Sequence, residues 1–354
     1  MLFRSGVAVT HRTVYGADGE VVREIQRPQI FTSWDRLHAL TRTQVPDERH
    51  HLGRRLVAYE RAGKGVRAKF ADGTIAEADL LVGADGYLST VRATLAPEAR
   101  PTYAGYIVWR GVAREADLPA DIRRDVFGRY GFHFPADGSE AIGYPIAGEG
   151  NDLEPGHRRY NWVWYRRVEP DALRDLLTDA DGHAHGYSIP PPRIRPDVIR
   201  QLREDAEERL CSPFRTILSH VDAPFFTPIF DCHVPRIAHD GVALVGDAAC
   251  LARPHVGMGI TKATSDACAL VDALDSHASV EDALAAYDAE RVAAGRVVWA
   301  CARYLGAYLH RPTDHALSEG ATTDAVPDLE TLIHHTGSAH FIDAVAREGL
   351  VAVV

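Results

Sequence analysis

The chain has 354 residues, 46% of them apolar and 25% charged, and its 39 basic against 49 acidic side chains give a formal net charge of −10. Nearly half apolar residues exclude general disorder and supply a substantial core. The acidic balance leaves no footprint for nucleic acid or an anionic membrane, and the short basic pairs His11-Arg12 and Arg54-Arg55 are expected on a solvated surface.

In chain order, Gly16 and Gly19 fall in a polar turn, and Phe31 to Leu40 reads as a strand end entering a helix. Ser33 is its expected N-cap, with Leu37 and Leu40 on the buried side. Val66–Phe70, the turn Ala71-Asp72-Gly73 and Thr74–Glu77 predict a β-hairpin. Leu80 to Arg92 then reads as an apolar strand, a tight Asp85-Gly86 turn and a helix beginning near Ser89.

From Tyr103 to Arg167 the texture changes to alternating strands. Tyr160, Trp162 and Trp164 share one face and Asn161, Val163 and Tyr165 the other. Such an aromatic face suits a planar ligand and equally suits packing on helices. Helices are expected at Asp171–Leu177 and Pro196–Cys211. The loop between them holds His183 and His185, a pair without a third ligand nearby, so no metal site is expected.

The richest stretch follows. Val242–Val245 is a short buried strand that delivers Asp247 to a loop, after a strand at Phe225–Val234. Arg253-Pro254-His255-Val256-Gly257-Met258-Gly259 then opens a helix, with Ile260, Ala263, Ala267, Leu270, Val271 and Leu274 expected on one buried stripe. Free backbone N–H groups at such a helix start face an electron-rich ligand, so the arrangement reads as a cofactor cradle. Ser279-Val280-Glu281-Asp282 caps a further helix to about Leu309, and a last helix is expected near Phe341–Glu348.

Two elements, Leu80–Arg92 with its Gly83-Ala84-Asp85-Gly86 core and Gly241–Gly259, resemble in content and order the flavin-contacting motifs of the FAD-dependent aromatic hydroxylases, the para-hydroxybenzoate hydroxylase family. Pro101–Val112, Tyr144-Pro145-Ile146 and Arg253-Pro254-His255 look like the branch acting on dihydroxypyridines. The resemblance implies an α/β, FAD/NAD(P)-binding Rossmann-like fold with an inserted, mainly β substrate domain. The expected division is 1–100 for part of the FAD-binding domain, 101–225 for the substrate sheet, 226–310 for the remainder of the FAD-binding domain and 311–354 for a tail. It implies FAD as cofactor, NADH or NADPH and O2 as co-substrates, and hydroxylation of a small hydroxylated aromatic or N-heteroaromatic ring through a flavin C4a-hydroperoxide.

The resemblance also implies roles. Arg36 would contact the FAD phosphates or ribityl chain, Asp247 would accept from a ribityl hydroxyl, and Pro254 would lie against the ring. Gly257, Met258 and Gly259 would bring backbone N–H groups to the flavin, and Asp85 would support the same loop. His255, Tyr106, Tyr144 and His133 are the candidates for the substrate's proton, His255 and Tyr106 being preferred. Tyr144, Trp162 and Trp164 are the expected substrate contacts. A homodimer is compatible with this reading.

The family's Gly-x-Gly-x-x-Gly turn for the FAD pyrophosphate does not occur here. The chain is therefore expected to be an N-terminally truncated form that holds FAD weakly. The alternative is a degenerate, non-catalytic relative acting as a binding or structural protein. The halogenases' Trp-x-Trp-x-Ile-Pro signature is also missing. Five cysteines without a close pair, no secretory leader and an apolar stretch at Val297–Leu309 too short to span a bilayer point to a cytoplasmic location.

Overall fold

A computed structural model describes residues 6–63, 65–310, 326–338 and 342. Apart from Ile342, the helix expected near Phe341–Glu348 lies outside the described residues. Strands and helices are numbered here along the whole chain. The described parts of Met1–Arg49, Gly105–Ile229 and Leu309–Ala321 form one compact unit, and those of His50–Ala104, Phe230–Tyr308 and Thr322–Val354 form a second. Residues 6–49, expected to go with residues 50–100, thus pack with the sheet of the first unit. Strand pairing is the reason: β1 (Val7–Tyr15) lies antiparallel to β2 (Val21–Phe31) and parallel to β8 (Arg129–His133).

The sheet of the first unit runs β11-β7-β10-β9-β8-β1-β2, adding β7 (Thr102–Arg114), β9 (Glu140–Ile146), β10 (Arg159–Arg167) and β11 (Phe225–His233). One face carries Tyr160, Trp162 and Trp164, and helices cover it. These are α3 (Ala120–Val126), α4 (Pro170–Leu176), α5 (Pro196–Arg209) and α6 (Ser212–Ser219). The Trp162 indole N–H donates to the Phe214 carbonyl of α6, 3.0 Å away, and that of Trp164 to Ser139 Oγ, also 3.0 Å. Both tryptophans are fully buried. Arg12 departs from expectation too: it is fully buried, bonded to the Gln29 side chain and set over the Tyr130 ring, and burial lowers its pKa to about 10. Helix α1 (Trp34–Arg42) starts at Ser33 without a side-chain cap, and Leu37 and Leu40 are only half-buried.

The second unit holds a three-stranded antiparallel sheet, β3 (Leu56–Ala62), β4 (Gly65–Phe70) and β5 (Ile75–Ala78), which contains the expected hairpin. Beside it, β6 (Leu81–Gly83) runs parallel to β13 (Val242–Leu244), with β12 (Ala238–His239) beyond, and β14 (Cys250–Leu251) pairs with the end of β11. Around β13 pack α2 (Thr90–Leu95), α7 (Gly259–Ser276) and α8 (Val280–Gly306), and α9 (Leu329–His335) closes the described chain. Tyr287 on α8 donates its hydroxyl to the Leu244 carbonyl at 2.7 Å. The buried stripe of α7 is Lys262, Asp266 and Leu270, while Ile260 and Val271 of the predicted stripe are exposed.

Candidate functional site

The two sequence elements singled out as cofactor loops, about 160 residues apart, meet in the second unit. Strand β6 ends at Gly83, and the Asp85 carboxylate caps the following helix, accepting from Ser89 Oγ at 2.5 Å, Thr90 N at 2.7 Å and Val91 N at 3.1 Å. Arg92 on that helix is buried and donates to the carbonyls of Asp247 and Ala248, at 3.3 and 3.2 Å, and to that of Tyr87. One guanidinium therefore ties the Asp85 turn to the Asp247 loop.

Beneath that loop lies an ion cluster that pattern reading misses. Lys262 Nζ donates to the Gly246 carbonyl at 2.9 Å and to Asp266 at 2.6 Å, and the other Asp266 oxygen accepts from Arg291 Nε at 2.9 Å. Asp266 also receives Gly246 N at 2.9 Å. Gly246 has φ +62°, and a Cβ there would stand 3.2 Å from Ala263, so glycine lets the turn sit down on α7. The Lys262/Asp266 spacing of four along an apolar helix was the one available signal. Asp247 itself projects to the surface of the loop. Its pKa is raised by the apolar surroundings, against the pull of Lys262 and Arg92.

Pro254, His255 and Val256 form a single tight turn leading to Gly257, in the left-handed region at φ +65°. A Cβ at Gly257 would come within 3.0 Å of Gly337, whose N–H donates to the His255 carbonyl at 2.7 Å. Met258 occupies the N-cap of α7 with no side-chain cap bond, and a Cβ on Gly259 would meet nothing within 4 Å. The helix start is thus open and its first-turn N–H groups have no side-chain acceptor from the cap. Arg253 is anchored by Asp231 at 2.6 Å, and Asp231 also accepts from the Trp299 indole at 3.1 Å and Arg303 at 3.2 Å. The His255 side chain is buried.

In the first unit, Arg36 lies on α1 with a buried Nε that finds no hydrogen-bond partner among the described residues. Tyr144 stacks on Phe31, ring centroids 4.2 Å apart and planes 18° from parallel, and meets Tyr130 edge-on at 5.5 Å. Tyr106 is buried, edge-on to Tyr165 at 6.3 Å. By strand register Tyr106, Tyr144 and Tyr165 share the face opposite the tryptophans. Trp162 and Trp164 are corrected accordingly from ring contacts to packing residues, since their indoles are buried under helices and bonded there. His133 is corrected as well. Its Nε2 accepts from Cys211 N at 3.2 Å and its Nδ1 faces the Tyr15 carbonyl at 3.0 Å, which occupies both ring nitrogens on the helix-covered side. His185 is held by Asp179 at 3.0 Å. A groove of about 630 Å³ beside α4 and α5 also lies on the tryptophan side, lined by arginines that acidic neighbours largely match.

Within the second unit, a glycine-lined helix start without a side-chain cap and the Asp247 carboxylate on its loop are of the kind that suits a flavin nucleotide. Fold and loops define an FAD-binding monooxygenase fold. The family described as FAD binding domain-like matches residues 103–231. A curated relative, 2,6-dihydroxypyridine 3-monooxygenase of Paenarthrobacter nicotinovorans, is 34% identical over 278 residues, which is 78% of this chain and 68% of that protein. The 3-amino-4-hydroxybenzoate 2-monooxygenase of Streptomyces cremeus is 28% identical over 78% of this chain and 61% of its own length. The solved 2,6-dihydroxypyridine-3-hydroxylase from Arthrobacter nicotinovorans superposes with a TM-score of 0.81 at 28% identity, over 93% of this chain and 84% of that one. Klebsiella pneumoniae HpxO, solved with FAD and uric acid, shares the fold at TM-score 0.69 and 20% identity, over 96% and 79%. The chain belongs to the FAD-dependent aromatic monooxygenase family. It spans about two thirds or less of the curated relatives it matches. Among the described residues no helix is long and apolar enough to cross a membrane.

Proposed function

We propose that the protein hydroxylates a small, flat, hydroxylated aromatic or N-heteroaromatic ring, using FAD, NADH or NADPH, and O2. The observation that carries this reading is the joining of the Asp85 and Asp247 loops by Arg92, which builds one cradle from two distant segments. When bound, FAD supplies the redox chemistry that takes reducing equivalents from NAD(P)H and activates O2. The chain's own groups bind and orient it. Asp247 accepts from a sugar-chain hydroxyl, and Arg36 meets the phosphates or ribityl chain. Pro254 provides an apolar wall, and the N–H groups at Gly257, Met258 and Gly259 favour negative charge at the helix start. His255 and Tyr106 are the proposed acceptors of the substrate's proton, and Tyr144 is a proposed ring contact. Tyr106 stands six residues along β7 from the position level with Tyr144, about 20 Å of strand, so a small ring flanked by Tyr144 is not served by Tyr106.

Flavin fluorescence titration tests the cradle. The wild-type chain should quench FAD saturably, and Asp247→Ala should weaken binding about 10- to 100-fold, the worth of one charge-assisted hydrogen bond. A variant that melts lower but keeps wild-type affinity would show Asp247 to be structural only.

A second reading, a non-catalytic binding or structural protein, draws on a different observation. The outer edge of β6 has no partner strand among the described residues, and Val82, Ile260 and Val271 are 43%, 46% and 55% exposed. No saturable FAD binding at all would favour it.

A further inference from the structure

We propose that Asn161 and Arg110 together anchor an anionic oxygen of the substrate ring, on the sheet face opposite the tryptophans. The inference rests on the monooxygenase reading and names the chemistry by which that site selects its ring. Asn161 on β10 stands opposite Tyr144 on β9 and Val112 on β7, and Arg110 stands opposite Val163, the next residue of β10 on that face. Asn161 and Arg110 are therefore diagonal neighbours, close enough for one small group to touch both.

Neither donor is spent on the protein. The Asn161 Nδ2 is buried and, among the described residues, has no hydrogen-bond partner. Arg110 is half-buried and, among the described residues, makes no side-chain hydrogen bond or ion pair. A buried amide N–H left unsatisfied is costly, and asparagine is a poor strand residue, so packing gives no reason for it here. The surrounding face is graded. Val108 and Ile142 farther in are buried and apolar, whereas Val112 is 40% exposed and Tyr144 half-buried, so the face opens at Asn161. Tyr144 is held flat by its stack on Phe31 and supplies a planar wall beside the two donors.

The Arg110 guanidinium and the Asn161 Nδ2 both donate to an oxygen placed between them, and the charge favours the deprotonated oxygen. Arg110 already acts this way on its neighbours, opposing the upward push of burial on the Tyr144 and Tyr165 hydroxyls. A ring whose hydroxyl ionises easily is thereby chosen over its methyl ether, and the bound oxyanion leaves the ring electron-rich.

The test is a titration of the FAD-saturated full chain with 2,6-dihydroxypyridine and with its mono-O-methyl ether. Flavin absorbance reports binding, and the ring's ultraviolet spectrum reports its ionisation. Asn161→Leu should weaken dihydroxypyridine binding about tenfold and Arg110→Gln about 10- to 100-fold, with neither variant changing the weaker binding of the ether. In Arg110→Gln the pH at which the bound ring ionises should rise. Thermal melting and FAD affinity, unchanged in both variants, separate loss of the anchor from loss of fold. Wild-type affinity in both variants overturns the proposal, and so does a ring bound in its neutral form. A chain that binds FAD but neither ring also overturns it, while absence of FAD binding counts against the monooxygenase reading itself.

Discussion

Among single residues, Glu140 carries the sharpest consequence for stability. Its side chain is fully buried next to Ser139 at the start of β9, and burial alone pushes its carboxyl from an ordinary 4.5 up to about 8. Tyr130 and Tyr165 lie within its electrostatic reach, and their hydroxyls are raised too, chiefly by burial. Between the two values the folded chain keeps a proton that the unfolded chain has released. Stability therefore falls as pH rises through that window and levels off above it. Glu140→Gln cannot ionise, so denaturant unfolding across the window should show the variant near wild type at the acid end and more stable by a few kcal/mol at the alkaline end. Parallel curves for the two proteins would mean that the Glu140 carboxyl is charged in the fold.

At the scale of elements, the Arg253–Gly259 loop depends on a strand and a helix far from it in sequence. Asp231 on β11 receives Arg253 from the loop and Trp299 and Arg303 from α8. Asp231→Ala leaves the buried Arg253 guanidinium without its carboxylate, a loss on the order of 3 kcal/mol. The melting temperature should drop by several degrees, and Trp299 emission should shift as its indole loses its acceptor. A variant that melts as wild type would sink this account of the loop. The same dependence on distant partners separates what could be read in the sequence from what could not. The Asp85 and Asp247 turns, the β4–β5 hairpin and the Ser279 cap were legible because glycine, aspartate and serine act on their immediate neighbours. Alternation along β10 showed two faces but not which one helices would cover, since the cover over Trp162 comes from Phe214. Likewise the buried side of α7 is set by Lys262 and Asp266, whose partners Gly246 and Arg291 lie outside that helix. Ser33 sits at the predicted N-cap, yet its hydroxyl serves Asp35.

For the molecule as a whole, the two units divide the chemistry. The Asp85 and Asp247 loops belong to the second unit, whereas Arg36 and the tyrosine face belong to the first, together with residues 6–49. The family is shared by relatives named for dihydroxypyridine and for aminohydroxybenzoate, both small hydroxylated rings. The open part of the sheet face sets Arg110, Asn161 and the stacked Tyr144 near one another, which suits a single planar ring bearing an acidic hydroxyl. If the proposed activity is correct, oxidation of NADH or NADPH by the FAD-saturated chain should accelerate when a dihydroxypyridine is added, and a product one oxygen heavier should accumulate in proportion. Chromatography of the product against the nucleotide consumed measures that coupling. Acceleration with hydrogen peroxide but no hydroxylated ring would make the pyridine an effector and not a substrate. Turnover of a multi-ring compound, alongside indifference to every hydroxylated monocycle, would overturn the substrate class while leaving the family intact.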